Sequence, residues 1–123
     1  MMTYTFDKKQ IDELKRKLSS SQFKEAAGIA LKRIGGEMEK AAREKAPYRK
    51  GHLKGSLTTK PEYPSVTVGT NVDYAAIHEF GGRAGRNHSV TIVSRPYMRP
   101  ALEVQRRGRA MDILKEEISL ITK

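Results

Sequence analysis

The chain has no cysteine, no tryptophan and only three phenylalanines in 123 residues. Without cysteine there is no disulfide framework, no thiolate zinc site and no cysteine nucleophile, and the composition suits a reducing compartment. No run of about 18 apolar residues occurs, so no segment is expected to span a membrane. The start, Met1-Met2-Thr3-Tyr4-Thr5-Phe6, lacks a basic stretch leading into an apolar one and does not read as a secretory signal. Hydrophobic residues make up 37%, so the core must come from Ile, Leu, Val, Ala and Met with a few Tyr and Phe. The length predicts a single domain, residues 1–123, burying roughly two-thirds of its unfolded surface. A core this modest favours association with copies of the same chain.

Acids are missing from two windows. None lies between Glu44 and Glu62, where Lys45, Arg49, Lys50, Lys54 and Lys60 stand. None lies between Glu79 and Glu103, where Arg83, Arg86, Arg95 and Arg99 stand. These nine positives account for +9 of the net charge of +10, so the rest of the chain is nearly neutral. Charge concentrated in this way points to a polyanion or an acidic partner surface; solvated loops are the plainer reading.

Catalytic patterns are missing too. His78-Glu79 would need a second histidine at position 82 to form a helical zinc motif, and that position is Gly82. His52 and His88 have no nearby set of metal ligands in sequence. No serine sits at a nucleophile elbow. Gly81-Gly82-Arg83-Ala84-Gly85-Arg86 is glycine-rich but follows a predicted helix, not a strand, so it reads as a flexible basic loop. No enzyme activity, metal or cofactor is expected.

The local pattern predicts an α+β domain: an antiparallel sheet of three to four strands, with a long helix from the N-terminal half and a C-terminal helix packed on one face. Alternation over Met2–Phe6 predicts a strand or extended arm. Asp7 caps a short helix bearing Ile11, Leu14 and Leu18 on one side, and residues 1–21 form this N-terminal arm and helix. Ser21 is expected to cap a long helix over Gln22–Lys45, with the stripe Phe23, Ala27, Ala30, Ile34, Met38 and Ala41. Gly35-Gly36 inside it predicts a bend or a close approach by another backbone. Pro47 ends the helix, and Gly51 punctuates the basic segment after it. Strands are expected at Ser56–Lys60 and Ser65–Gly69, as a hairpin at a sheet edge, and at Val90–Val93 as a central strand. Tyr74–Phe80 reads as a short helix closed by Gly81. Pro96 and Pro100 turn the chain, and Pro100 opens a last helix over residues 100–121 with the stripe Met111, Leu114, Ile118 and Ile121. The corner Arg95-Pro96-Tyr97-Met98-Arg99-Pro100 has two readings. It is either a rigid turn whose aromatic fills the core, which the residues favour, or a hook that inserts Tyr97 and Met98 into a neighbour.

Taken in order, Ala46-Pro47, Gly51-x-Leu53-x-x-Ser56, Tyr74-Ala75, His78-Glu79-Phe80-Gly81 and Arg95-Pro96-Tyr97-Met98-Arg99-Pro100-Ala101 resemble the tail-completion and virion-morphogenesis proteins of tailed phages and prophages. The marks run over about residues 37–107, within a family-like core of residues 22–107. The basic Tyr48-Arg49-Lys50 departs from the small acidic or hydroxyl pair usual there. The resemblance implies a structural subunit that assembles with copies of itself into a ring at the head–tail junction or tail top. It implies contact with portal, head-completion or tail-tube proteins, and location in the virion after assembly in the host cytoplasm. It implies non-specific contact between lumen cations and genomic DNA, through Lys45, Arg49, Lys50, Lys54, Arg83 and Arg86. Tyr74, Phe80, Arg95, Tyr97, Met98 and Arg99 are then the candidate assembly contacts. The alternative is a small basic RNA-binding or RNA-cleaving toxin using Arg83, Arg86, His88, Arg95 and Tyr97. Placement of those cations on glycine-rich segments argues against it, because catalysis requires preorganisation.

Overall fold

The computed structural model describes residues 2–45, 57–70, 82–84, 90–92 and 97–122. The elements are β1 (Met2–Thr5), α1 (Lys8–Lys15), α2 (Ser20–Lys45), β2 (Thr58–Glu62), β3 (Ser65–Gly69), β4 (Gly82–Ala84), β5 (Val90–Ile92), α3 (Arg99–Val104) and α4 (Ala110–Ile121). The fold is α+β: helices pack on a three-stranded antiparallel sheet of order β1-β3-β2.

Alternation in β1 decides which side chains enter the core. Met2 and Tyr4 are buried opposite Val68 and Val66, while Thr3 and Thr5 point outward. On that outer side the Thr3 and Thr67 hydroxyls hydrogen-bond at 2.9 Å, and those of Thr5 and Ser65 at 2.7 Å. Tyr63-Pro64 joins β2 to β3, and the Phe6 amide donates to the Pro64 carbonyl, tying the arm to this turn. Pro61 lies within β2 opposite Val66. A residue without an N–H is tolerated there because β2 is an edge strand.

Asp7 caps α1 as expected, accepting from the Lys9 amide at 2.8 Å. Ile11 is buried, with Leu14 and Leu18 packed partly against the core. The start of α2 differs from expectation. Ser19 is the cap, not Ser21: its hydroxyl accepts from the Gln22 amide while the Gln22 side chain accepts from the Ser19 amide, both at 3.2 Å. This Ser-x-x-Gln box satisfies two donors reciprocally, whereas Ser21 has Lys24 at the matching position and cannot do so.

The buried stripe of α2 is wider than the sequence period suggested. Ala26, Leu31, Gly35 and Ala42 join Phe23, Ala27, Ala30, Ile34 and Met38, because the helix is covered by the sheet on one side and by α4 on another. The two glycines behave differently. A methyl group at Gly35 would overlap the Thr59 methyl and approach that of Val66 to 2.7 Å, whereas one at Gly36 meets nothing within 4 Å. The close neighbour is therefore a pair of strand side chains, not a second backbone.

Several expectations about the later chain need correction. Val90–Ile92 is not a central strand of the main sheet; it pairs with Gly82–Ala84 in a separate two-stranded sheet. The central place belongs to Ser65–Gly69, because the N-terminal arm supplies the third strand. Gly82 and Arg83 accordingly lie in β4 and not in a loop. The last helix is also not continuous. It runs as α3, a widened turn over Gln105–Arg109, and then α4, because Gly108 adopts φ 135°. Pro100 is the second residue of α3, behind Arg99. In α4, Met111 and Leu114 are buried with Ala110, Ile113 and Glu117, and Ile118 is partly buried.

Candidate functional site

Lys45 ends α2 and is exposed, as is Lys60 on β2. Arg99 opens α3 and faces solvent. Arg49, Lys50, Lys54, Arg86 and Arg95 lie outside the described residues, as do Pro47, Gly51, Tyr74, Phe80, Gly81, Pro96 and all three histidines. Tyr97 is fully buried and Met98 nearly so, both within the main core cluster. These two side chains fill the interior and present nothing to a neighbour, which corrects their place among the assembly contacts.

The structure assembles a charged seam that the sequence reading did not identify. α4 packs along α2. Arg33 donates to Glu117 and Glu116, each at 3.0 Å. Farther along α2, Glu37 receives Arg109 in a two-pronged contact, Nε to Oε1 at 3.0 Å and Nη2 to Oε2 at 2.7 Å, and also the Gln105 amide at 3.2 Å. Glu116 bridges the two arginines, with Arg109 at 3.7 Å. Bidentate geometry makes the Glu37–Arg109 pair the most directional of these. The Arg109 hydrogen bonds hold the Glu37 carboxyl below its usual range, against a smaller opposing effect of burial. Both guanidinium groups are held above their ordinary range, Arg33 chiefly by Glu117 and Arg109 chiefly by Glu37. The signal was present in sequence: Arg33 and Glu37 are four apart, and Glu116-Glu117 follow Arg109 by two turns. Their pairing required the antiparallel register of two helices distant in sequence.

The widened turn serves this seam. It lets Arg109 point back to Glu37 and buries Gln105, whose Oε1 has no hydrogen-bond partner. Glu37, Glu116 and Glu117 are thus engaged within the fold. No group of three or more metal-ligating side chains occurs among the described residues. No helix among them is long and apolar enough to cross a membrane.

A second feature lies where α1 runs into α2. Lys15 places its ammonium over the rings of Phe23 at 5.2 Å and Tyr63 at 5.7 Å. The two rings meet edge to face, centroids 6.1 Å apart. They floor a half-enclosed notch of about 250 Å³, rimmed by Lys15 and Lys24. Phe23 belongs to the buried stripe of α2; Tyr63, from the hairpin turn, completes the pair only in three dimensions.

Residues 30–119 match the model of a family described as the phage virion morphogenesis family. Over 47 residues the chain is 47% identical to a protein of Haemophilus influenzae named Mu-like prophage FluMu G protein 2, a match covering 38% of this chain and 34% of that relative. The match thus spans about a third of the relative's length. No solved structure matches.

Proposed function

Because the chain belongs to the phage virion morphogenesis family and is a phage virion assembly protein, we propose that it acts as a ring subunit that completes the tail or joins it to the head. In this reading it works by assembly and turns over no substrate. Its partners are copies of itself and the portal, head-completion or tail-tube proteins on either side. The cation-rich windows around Lys45–Lys60 and Arg83–Arg99 then meet either DNA phosphates in the lumen or acidic surfaces of the adjoining rings.

The observation that carries this reading is the extent of the family match. From position 30 to 119 it takes in most of α2, the β2–β3 hairpin and nearly all of the C-terminal helices. These are the packed scaffold. Positive charge held on such a scaffold suits contact with a backbone of phosphates, which needs no base-specific geometry.

The test is to inactivate the gene in its phage or prophage and image the particles by electron microscopy. The expected result is unjoined heads and tails, or tails of irregular length, restored by a plasmid copy. Complete, infectious particles formed without the protein would overturn the reading. So would RNA cleavage by the purified protein that disappears on substitution of a single arginine or histidine.

A further inference from the structure

Leu14 to Lys24 is a third stretch without an acid, bounded by Glu13 and Glu25, and it carries Lys15, Arg16, Lys17 and Lys24. It forms the end of α1 and the start of α2, and all four cations are exposed. The ion pairs among the described residues run through Arg33, Arg43, Arg106 and Arg109, and none reaches this junction. The bounding acids point elsewhere. Glu13 is two residues from Lys15 and Glu25 two from Phe23, so each sits about 200° round its helix from a residue lining the notch. Glu62 shares its side of β2 with Lys60, opposite to Thr59, which faces α2. Asp12 lies one turn before Lys15 and Arg16 and is outnumbered by the four cations.

Other exposed lysines stand beside carboxylates. Lys32 shares an open hollow with Glu39, Lys115 another with Asp112 and Glu116, and Lys40 precedes Glu44 by one turn. The notch has no carboxylate: Lys15, Lys24, Ser19 and Ser20 line it with Leu18 and the two rings. The rings are already covered by the chain's own Lys15, so what the notch offers a partner is charge and hydroxyl groups. The charge is placed in advance. Asp7 caps α1, the Ser19–Gln22 box caps α2, and Lys15 is held 5.2 Å above the Phe23 ring. A partner therefore has little to order when it binds.

We propose that the α1–α2 junction is a contact for the phosphate backbone of duplex DNA, with Lys15, Lys24 and the serine hydroxyls of the notch around one phosphate and Arg16 and Lys17 on its neighbours. The contact rests on the virion-assembly reading above, in which packaged DNA is the polyanion at hand. Phosphate contact needs cations and hydroxyl donors and no element that enters a groove. A protein partner fits less well, because protein interfaces centre on buried apolar and aromatic groups, and here the rings are taken. Unlike the two mid-chain windows, this cluster sits at the capped ends of two helices. Residues 14–24 precede the family match over 30–119, so the contact lies outside the matched scaffold.

The test measures binding of the full chain to a short duplex of mixed sequence by fluorescence anisotropy at stepped salt concentrations. The variant Arg16→Gln/Lys17→Gln/Lys24→Gln leaves Lys15 on its rings. The control Lys32→Gln/Lys40→Gln/Lys115→Gln removes the same charge elsewhere. The expected result is that the junction variant binds roughly tenfold more weakly or worse at low salt, with a salt slope smaller by about two to three, while the control loses much less. Thermal melts should match the wild type. If the junction variant melts lower, Arg16→Gln and Lys24→Gln singly decide, each lowering the slope by about one. No duplex binding by the wild type, unchanged affinity in the junction variant, or an equal loss in the control would overturn the proposal. Polyglutamate held as tightly as the duplex, and released by the same variant, would overturn it too and assign the junction to an acidic protein surface. The two readings fail separately. Normal particles without the gene sink the assembly function whatever the duplex shows, whereas a junction variant that still binds DNA sinks only this contact.

Discussion

α2 is held differently on its two sides. Toward the sheet, Gly35 lets the methyls of Thr59 and Val66 settle onto the helix, and the contact is apolar and tight. Toward α4, Arg33 and Glu37 reach across to Glu116, Glu117 and Arg109 through oriented hydrogen bonds. The first contact acts over contact distances and responds to volume. The second responds to proton and salt concentration and is partly screened, since Arg109 and Glu37 are each about one-third exposed. One helix thus carries a steric clamp and an electrostatic one, and they can be broken separately.

The largest effect is expected at the steric clamp. Gly35→Val should lower stability by about 3 kcal/mol, since overpacking a closed site typically costs 1–3 kcal/mol and occasionally more; chemical denaturation measures it. A change within about 0.5 kcal/mol would mean that the sheet does not press on the helix. Next comes the turn that orients Arg109. Gly108→Ala should cost about 1–3 kcal/mol, because φ 135° strains any residue with a Cβ, although open space surrounds the site. The electrostatic clamp should give less. Glu37→Gln should lower Tm by no more than a few degrees, and by less in high salt.

The same clamp has a pH signature. Glu37 titrates below its ordinary value of 4.5 in the folded state. Its contribution is therefore complete above that value and is lost as pH falls through the depressed one. Wild-type stability should drop more steeply than that of Glu37→Gln below about pH 4.5, as read by thermal melts across pH; parallel curves would remove Glu37 from the account. The smallest effect has the opposite sign. Gly36→Ala should stabilise by up to about 1 kcal/mol, because the helix gains a better former and nothing stands in the way. Loss of stability there would show that the two adjacent glycines are not as different as their surroundings.

Local physics was legible in the sequence, and long-range pairing was not. Asp7 as a cap, the long helical stripe from Phe23 to Ala41 and the inward Val66 and Val68 follow from period and side-chain chemistry alone. The Ser19–Gln22 box was equally local but was hidden by a run of three serines, each a credible cap. Val90–Ile92 looked central because it is apolar, yet sheet order depends on which strands are free to pair, and β1 had already completed the main sheet. Gly108 carried no visible mark, since a glycine between arginines reads as helix surface until its φ is known. The burial of Tyr97 and Met98 depends on the elements packed around them, which composition left open. The notch joins α1, α2 and the β2–β3 turn, so it could not be read along the chain.

The outward side of the sheet bears Thr3, Thr5, Ser65 and Thr67, with hydroxyls bonded in pairs across the strands. Valines on that surface would adhere to any stray strand, whereas hydroxyls already engaged with one another stay wettable and inert. The plain face of the sheet offers a stray strand nothing apolar to adhere to.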